Sequence, residues 1–249
     1  MFDRDWLVSE CERVRTHKTL EEFSAHMRSF ADRLGYFQYA YLALPYFFEL
    51  GADKSPPPFL TIYNKDWMRH YTENRYDLDD PALRHCLSGS ETPFLWPRSK
   101  EIEQLPPKEK KVCQEAGEAG IRHGFTLPMH NGMGGVGILS LSFDGSGSEF
   151  ERFYADRREA TERFAYSFNE AVLSRVANHF GRLHLPRLTP KERETLKWLA
   201  GGNTYEETAD RQKVGVGTIR KHAGNAFRKL KARNGAHACA LVSQWGLLA

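Results

Sequence analysis

The sequence predicts an α+β protein in two parts. Residues 1–178 read as an α/β/α sandwich built on an antiparallel sheet, and residues 188–249 as an all-α helix-turn-helix unit, with a linker at 179–187. Three observations predict this division. Strand-like alternation in the first part is flanked on both sides by helical patterns of spacing 3 and 4. The last 62 residues hold only short helical patterns, separated by capping and turn signals. Charge divides at the same place: Arg187–Ala249 carries 12 Lys/Arg against 5 Asp/Glu, a net +7, which leaves −4 on residues 1–186 of a chain whose total is +3.

The elements follow in order. Leu20, Phe23, Met27 and Phe30 recur at helical spacing among Glu, Arg and Asp, and Leu34-Gly35 supplies the stop. Tyr36–Leu44 alternates and is aromatic, so it reads as a strand; a Pro-rich surface loop over Gly51–Pro58 leads to a second strand, Phe59–Tyr63. Asn64 caps a short helix running towards Asn74. Asp79-Asp80-Pro81 breaks the chain before a short helix from Leu83 to Leu87, and Ser88–Pro107 reads as loop. Lys108–Ala119 is helical. Strands Phe125–His130 and Val136–Phe143 follow, joined by the glycine-rich turn 131–135 as a hairpin. A long amphipathic helix runs from about Glu149 to Phe180, and Gly181–Arg187 reads as linker.

Bulk properties bound the function. The chain is 41% apolar, with 16 Phe, 10 Tyr and 5 Trp, so it has the material for real cores, and wholesale disorder is excluded. No stretch approaches the ~18 apolar residues of a membrane-spanning helix. The start Met-Phe-Asp-Arg-Asp-Trp lacks the basic-then-apolar order of a signal peptide, so a cytoplasmic chain without a membrane partner is expected. Cys11, Cys86, Cys113 and Cys239 form no C-x-x-C pair and no His/Cys cluster; they read as reduced thiols, and no metal or cofactor is expected.

The C-terminal unit is the more explicit part. Thr189-Pro190-Lys191-Glu192 is a capping box with proline at the first helical position, and Thr204-Tyr205-Glu206-Glu207 repeats the box device later. Gly201-Gly202 separates the two helices. A turn at Val214–Gly217 leads into a helix from about Thr218 to Ala232, and a last helix spans about Ala236 to Trp245. On the third helix Ile219, Ala223, Ala226 and Leu230 share one face, while Arg220, Lys221, Asn225, Arg228, Lys229 and Lys231 lie off it. A basic helix with one narrow apolar stripe after a tight turn is suited to a DNA major groove. Thr218, Arg220 and Lys221, with Asn225 one turn on, are the candidate base-edge residues. Arg228, Lys229 and Lys231 are candidates for phosphates, and Thr204 completes the DNA-binding set. A solvated basic face is the plainer alternative for any one of these.

The run Leu188-Thr189-Pro190-Lys191-Glu192-Arg193-Glu194-Thr195-Leu196-Lys197-Trp198-Leu199-Ala200-Gly201-Gly202 resembles the opening of a LuxR-type DNA-binding domain. Thr218-Ile219-x-x-His222 and Lys229-Leu230 continue the match, and Glu192, Leu196 and Gly202 fall at signature positions of that family. There are departures. Thr208, Gln212, Ala223 and Ala226 stand at usually apolar positions, Lys213 stands where the turn usually has Gly, and Gly224 lies inside a helix. Smaller residues bury less area and a mid-helix Gly costs ~1 kcal/mol, so a less stable domain is expected.

Residues 59–96 are rich in aromatics: Phe59, Tyr63, Trp67, Tyr71, Tyr76, Phe94 and Trp96. Tyr63, Trp67 and Tyr71 recur every four residues, and Asp80 lies beside them. One carboxylate among aromatics suits a ligand pocket, although an aromatic stripe is also what a plain core looks like. Tyr63-x-x-x-Trp67-x-x-x-Tyr71, Asp80-Pro81, Trp96 and Gly124 resemble the autoinducer-binding domain of the same LuxR-type regulators, and so do Gly120–Pro128 and Gly137–Ser142. The resemblance implies an N-acyl-homoserine lactone ligand, promoter DNA as partner and a homodimer working in quorum sensing. In that frame the Trp67 indole donates to the lactone carbonyl, and Asp80 accepts the amide N–H. Tyr63 and Ser140 donate to the amide carbonyl, and Tyr71 and Trp96 wall the ligand. The family's plant-signal subgroup departs at the Trp and Tyr positions, which this chain keeps.

Two other readings stand beside this one. The thinned apolar stripe admits a partner or antagonist that binds DNA weakly or not at all and acts by heterodimerisation. An enzyme is not expected: the glycine run after His130 is similar to an oxyanion loop, yet no Gly-x-Ser-x-Gly elbow accompanies it. The expected mechanism is linkage, in which a ligand in the sensor stabilises the folded dimer that presents two DNA heads. The helix Glu149–Phe180 is the candidate dimer face.

Overall fold

The computed structural model describes residues 3–44, 58–130, 135–176 and 188–244. They fall into two compact units, one reaching Val176 and one holding the C-terminal residues.

In the first unit α1 (Arg4–Val14) and α2 (Leu20–Leu34) precede β1 (Gln38–Leu44) and β2 (Phe59–Thr61). Next come α3 (Lys65–Glu73), a 3-10 turn (Tyr76–Leu78), α4 (Pro81–Leu87), β3 (Phe94–Leu95), α5 (Ser99–Ile102) and α6 (Pro107–Glu118). The hairpin strands β4 (His123–His130) and β5 (Val136–Phe143) lead into α7 (Gly147–Val176). The sheet has the order β2-β1-β5-β4-β3, and every neighbouring pair is antiparallel.

Alternation assigns the two sheet faces. Tyr39, Tyr41, Phe125, Leu127, Met129 and Leu139 are fully buried on one face. They meet α2 and α7, where Tyr41 packs edge-on to Phe168 and Phe30 stacks on Phe164 at 3.7 Å. Leu42, Leu44 and Ile138 point the other way and pack with Cys86 and Leu83 of α4. The layers are therefore α/β/α, as the sequence predicts.

The structure departs from the sequence expectations mainly at element boundaries and in the shortest elements. Helix α1 went unread; its only buried apolar residues are Leu7 and Val14, too few to show a period, although Asp3 caps it and Trp6 stacks on Phe30. Strand β3 lies in the segment expected to be loop. Two residues show no alternation, and only pairing with Phe125 and Thr126 of β4 reveals them. Helix α4 starts at Pro81 because the Asp80 carboxylate accepts from the N–H groups of Ala82 and Leu83, and proline suits the first turn. Helix α7 starts two residues early, at Gly147. The expected loop at 51–57, the hairpin turn at 131–134, the end of the long helix past Val176 and the linker at 181–187 lie outside the described residues.

The second unit contains α8 (Pro190–Ala200), α9 (Tyr205–Gln212), α10 (Val216–Lys229) and α11 (Gly235–Gln244). Both expected capping boxes form, Thr189 with Glu192 and Thr204 with Glu207. The stripe Ile219, Ala223, Ala226 and Leu230 is buried. Helix α10 begins at Val216, two residues before the expected start, with Gly215 as its cap. Two departures from the family pattern find polar solutions: buried Thr208 donates to the Thr204 carbonyl at 2.7 Å, and Gln212 Nε2 donates to Thr195 Oγ1 at 3.3 Å. Gln212 Oε1 is buried with no partner among the described residues.

Lys213 sits at φ 53°, ψ 46°, the left-handed conformation that favours glycine at a helix end. Gly224 has open space where a Cβ would stand. Replacing Lys213 by Gly and Gly224 by Ala should each stabilise the C-terminal unit by about 0.5–1 kcal/mol, read as a higher denaturation midpoint at constant slope.

Candidate functional site

Of the six sensor residues the sequence singles out, all six line one cavity of about 110 Å³, together with Phe94, Val112, Cys113 and Thr126 among others. Helix α3 supplies Trp67 and Tyr71, the N-terminus of α4 supplies Asp80, and the sheet supplies Ser140. Tyr63 enters just before α3 and Trp96 just after β3.

Asp80 organises the polar floor. One carboxylate oxygen caps α4, accepting from Ala82 N at 2.8 Å and Leu83 N at 3.3 Å, and the other accepts from the Tyr71 hydroxyl at 2.9 Å. Burial pushes the Asp80 carboxyl above its ordinary range, and these three donors oppose that rise. Tyr71 therefore does more than wall the pocket: it is a hydrogen-bond partner of the carboxylate. Tyr63 and Tyr71 are both pushed up, by burial first and then by the Asp80 charge, so both stay neutral donors. The buried Tyr63 hydroxyl has no partner among the described residues. Cys86 is pushed up to about 12 and Cys113 to about 11, burial being the main cause, so neither is a ready thiolate.

The opposite wall is a hydroxyl relay. Trp96 Nε1 donates to Thr126 Oγ1 at 2.9 Å, and Thr126 Oγ1 lies 2.9 Å from Ser140 Oγ. An indole N–H only donates, and one hydroxyl proton is used between Thr126 and Ser140, so one remains to be donated elsewhere. Thr126 was missed from sequence, although the signal was present: a hairpin pairing His130 with Val136 puts Thr126 opposite Ser140. Gly124 explains itself here. A Cβ on it would lie 2.6 Å from the Trp96 ring and 2.3 Å from the Leu141 carbonyl, so only glycine lets the indole settle.

In the C-terminal unit Thr218, Arg220, Lys221, Arg228 and Lys231 are exposed. Helix α10 carries no acidic residue in its first turn, which leaves its positive end open to phosphate. Arg220 lies 3.6 Å from Glu206, and Asn225 accepts from Arg228 at 2.5 Å. Thr204 caps α9 through Glu207. Lys229 is placed differently from its neighbours: its ammonium is 2.6 Å from the buried carboxylate of Glu192, which also accepts from Thr189 N at 2.8 Å. Burial alone would raise Glu192, but the bonds from Lys229 and Thr189 outweigh it and hold the carboxyl below its usual range.

A cavity with a polar floor in one unit and a basic helix-turn-helix in the other define a sensor joined to a DNA-binding head. Known proteins agree. Residues 19–172 match the family described as autoinducer binding domain, and residues 186–242 match bacterial regulatory proteins, luxR family. The chain belongs to the LuxR family, and it is a transcription regulator rather than an enzyme. It is 26% identical to the transcriptional activator TraR of Agrobacterium vitis over 227 residues, 85% of this chain and 86% of that one. It is 30% identical to the activator BjaR1 of Bradyrhizobium diazoefficiens over 182 residues, 71% of this chain and 69% of that one. The crystal structure of Escherichia coli SdiA shares the fold, with a TM-score of 0.76 at 21% identity over 98% of each chain. No helix among the described residues is long and apolar enough to cross a membrane.

Thr126→Val should leave the Trp96 N–H unpaired and cost about 1–3 kcal/mol of stability, measured by urea denaturation. The Glu192 pair predicts a pH effect. Because its folded value lies below the unfolded one, its contribution is complete above the ordinary carboxylate range and is lost as pH falls through the folded value. The C-terminal thermal transition should therefore fall as pH drops below the ordinary carboxylate range, and Lys229→Met should flatten that fall.

Proposed function

We propose that the chain binds an N-acyl-homoserine lactone in the sensor cavity and promoter DNA as a homodimer, in the cytoplasm, as a quorum-sensing regulator. The observation that carries this reading is the buried Tyr63 hydroxyl, which has no partner among the described residues, set in an aromatic cavity beside the Asp80 carboxylate. Such a cavity asks for a ligand with a carbonyl acceptor, an amide donor and an apolar tail. Asp80 accepts the amide N–H, Tyr63 and Ser140 donate to the amide carbonyl, and the Trp67 indole donates to the lactone carbonyl. Tyr71 and Trp96 flank the ligand.

In this reading residues 1–178 are the autoinducer domain, 179–187 the linker and 188–249 the DNA-binding domain. Thr218, Arg220, Lys221 and Asn225 meet base edges. Thr204, Arg228 and Lys231 meet phosphates, and Lys229 reaches a phosphate only if it shares its charge with Glu192. Helix α7, on which Tyr166 is exposed, is the proposed dimer face. Ligand stabilises the folded sensor, and through it the dimer, by mass action.

Asp80→Asn keeps an oxygen to cap α4 but turns a donor towards the ligand amide. Calorimetry with N-octanoyl-homoserine lactone should show binding weakened at least tenfold, about 1.4 kcal/mol, with the fold retained. Unchanged affinity would remove Asp80 from the site. A second reading, a non-DNA-binding partner that heterodimerises, is favoured by the buried Gln212 Oε1, which has no partner among the described residues, and by the left-handed Lys213 beside α10. A mobility-shift assay on the chain's own promoter region decides between the two. A shift that weakens steeply with salt and on Lys221→Ala supports DNA binding, whereas no shift at low salt, with or without lactone, supports the partner.

A further inference from the structure

A second polar cluster stands directly behind the aromatic wall of the cavity. Val112, Cys113 and Ala116 of α6 line the cavity; Glu115, on the same helix, does not. Its Oε2 accepts from the Tyr76 hydroxyl at 2.5 Å and from His70 Nε2 at 2.5 Å, and Lys111 Nζ lies 3.8 Å from its other oxygen. Asn74 Nδ2 is 3.2 Å from His70 Nδ1 and can only donate to it, which puts the imidazole proton on Nε2, facing Glu115. The bonds from Tyr76 and His70 hold the Glu115 carboxyl below its usual range, as a charged acceptor.

The two donors belong to the elements that present the ligand-facing rings. His70 follows Trp67 by three residues in α3, with ring centroids 6.2 Å apart. Tyr76 lies 6.2 Å from Trp67 and 5.9 Å from Tyr71, edge-on to the latter. Helix α3 has nine residues, of which only Trp67 is buried; Met68 and Tyr71 pack around it with Tyr76 and Val112, a small cluster for so short a helix, so polar ties matter to its position. Inside the cavity it is tied by Tyr71 to Asp80. Outside the cavity Glu115 ties it through His70.

We propose that Glu115 is a positioning residue for the ligand site: by clasping His70 and Tyr76 it fixes α3, and with it the Trp67 and Tyr71 rings, against α6, and so sets how long a bound ligand stays. This rests on the ligand reading of the cavity. On this proposal ligand leaves by movement of the α3 wall, which the Glu115 bonds hold together with the Tyr71–Asp80 bond and the packing on Val112. Loss of the clasp therefore acts on the dissociation rate more than on the association rate.

The test uses the full chain and two measurements, hydrogen exchange in the free protein and stopped-flow dissociation of N-octanoyl-homoserine lactone. In Glu115→Ala, exchange should rise on the order of tenfold in α3 and the 3-10 turn while the sheet, α2 and α7 keep their protection, and dissociation should quicken by a similar factor. Glu115→Gln, which retains an oxygen acceptor, should recover most of both effects. Tyr76→Phe removes one hydroxyl only and should give a smaller change in the same direction, which keeps the test open if Glu115→Ala fails to fold. Exchange unchanged in α3, exchange raised throughout the unit, or faster α3 exchange with unchanged dissociation would each overturn the proposal. A wild-type chain that takes up no lactone would defeat the lactone reading, and exchange alone would then judge the clasp.

Discussion

A carboxylate withdrawn from bulk water needs donors, and much of the sensor is arranged around giving them to Asp80. Its two oxygens accept from the first turn of α4 and from the Tyr71 hydroxyl of α3. That one group therefore starts a helix, holds a second helix beside it and places a negative charge on the cavity floor. Its field reaches the surrounding groups as well, adding to the burial that keeps Tyr63, Tyr71, Cys86 and Cys113 neutral. A buried acceptor in the same cavity as a hydroxyl that has no partner among the described residues leaves polar capacity facing that cavity.

The two walls of the cavity are built differently. The sheet wall is backed by a dense aromatic layer and by a buried polar joint. In that joint Asn169 of α7 accepts from the Tyr41 hydroxyl at 2.8 Å and donates to the Met129 carbonyl at 3.3 Å. Gly137 makes room for it, since a Cβ there would fall on the amide itself. The α3 wall packs on the smaller cluster of Trp67, Tyr76 and Val112 and is tied by hydrogen bonds to Asp80 and Glu115.

The C-terminal unit solves the same problem of a buried charge. Glu192 closes a capping box on α8 and pairs with Lys229 of α10, so a helix start and a helix-to-helix contact share one carboxylate. This removes Lys229 from the freely presented basic residues and explains why Glu192 matters beyond its cap. Thr208 and Gln212 replace apolar packing by hydrogen bonds, and Ala223 and Ala226 are buried as small side chains.

Local chemistry explains what was legible before any coordinates. Capping boxes at Thr189 and Thr204, the buried stripe on α10, the strand alternation of β1 and the hairpin of β4 with β5 each depend on residues within a turn or a pleat of one another. The two-part architecture, the family, and the gathering of Tyr63, Trp67, Tyr71, Asp80, Trp96 and Ser140 followed from such patterns and from the resemblance they carried. What only the tertiary structure decided are contacts between residues far apart in the chain: Trp96 with Thr126, Glu115 with His70 and Tyr76, Lys229 with Glu192, and the two-residue strand β3. Hydrogen-bond partners of that kind are chosen by register and packing geometry, which bring the groups within 3 Å, and no periodicity in the sequence encodes that distance.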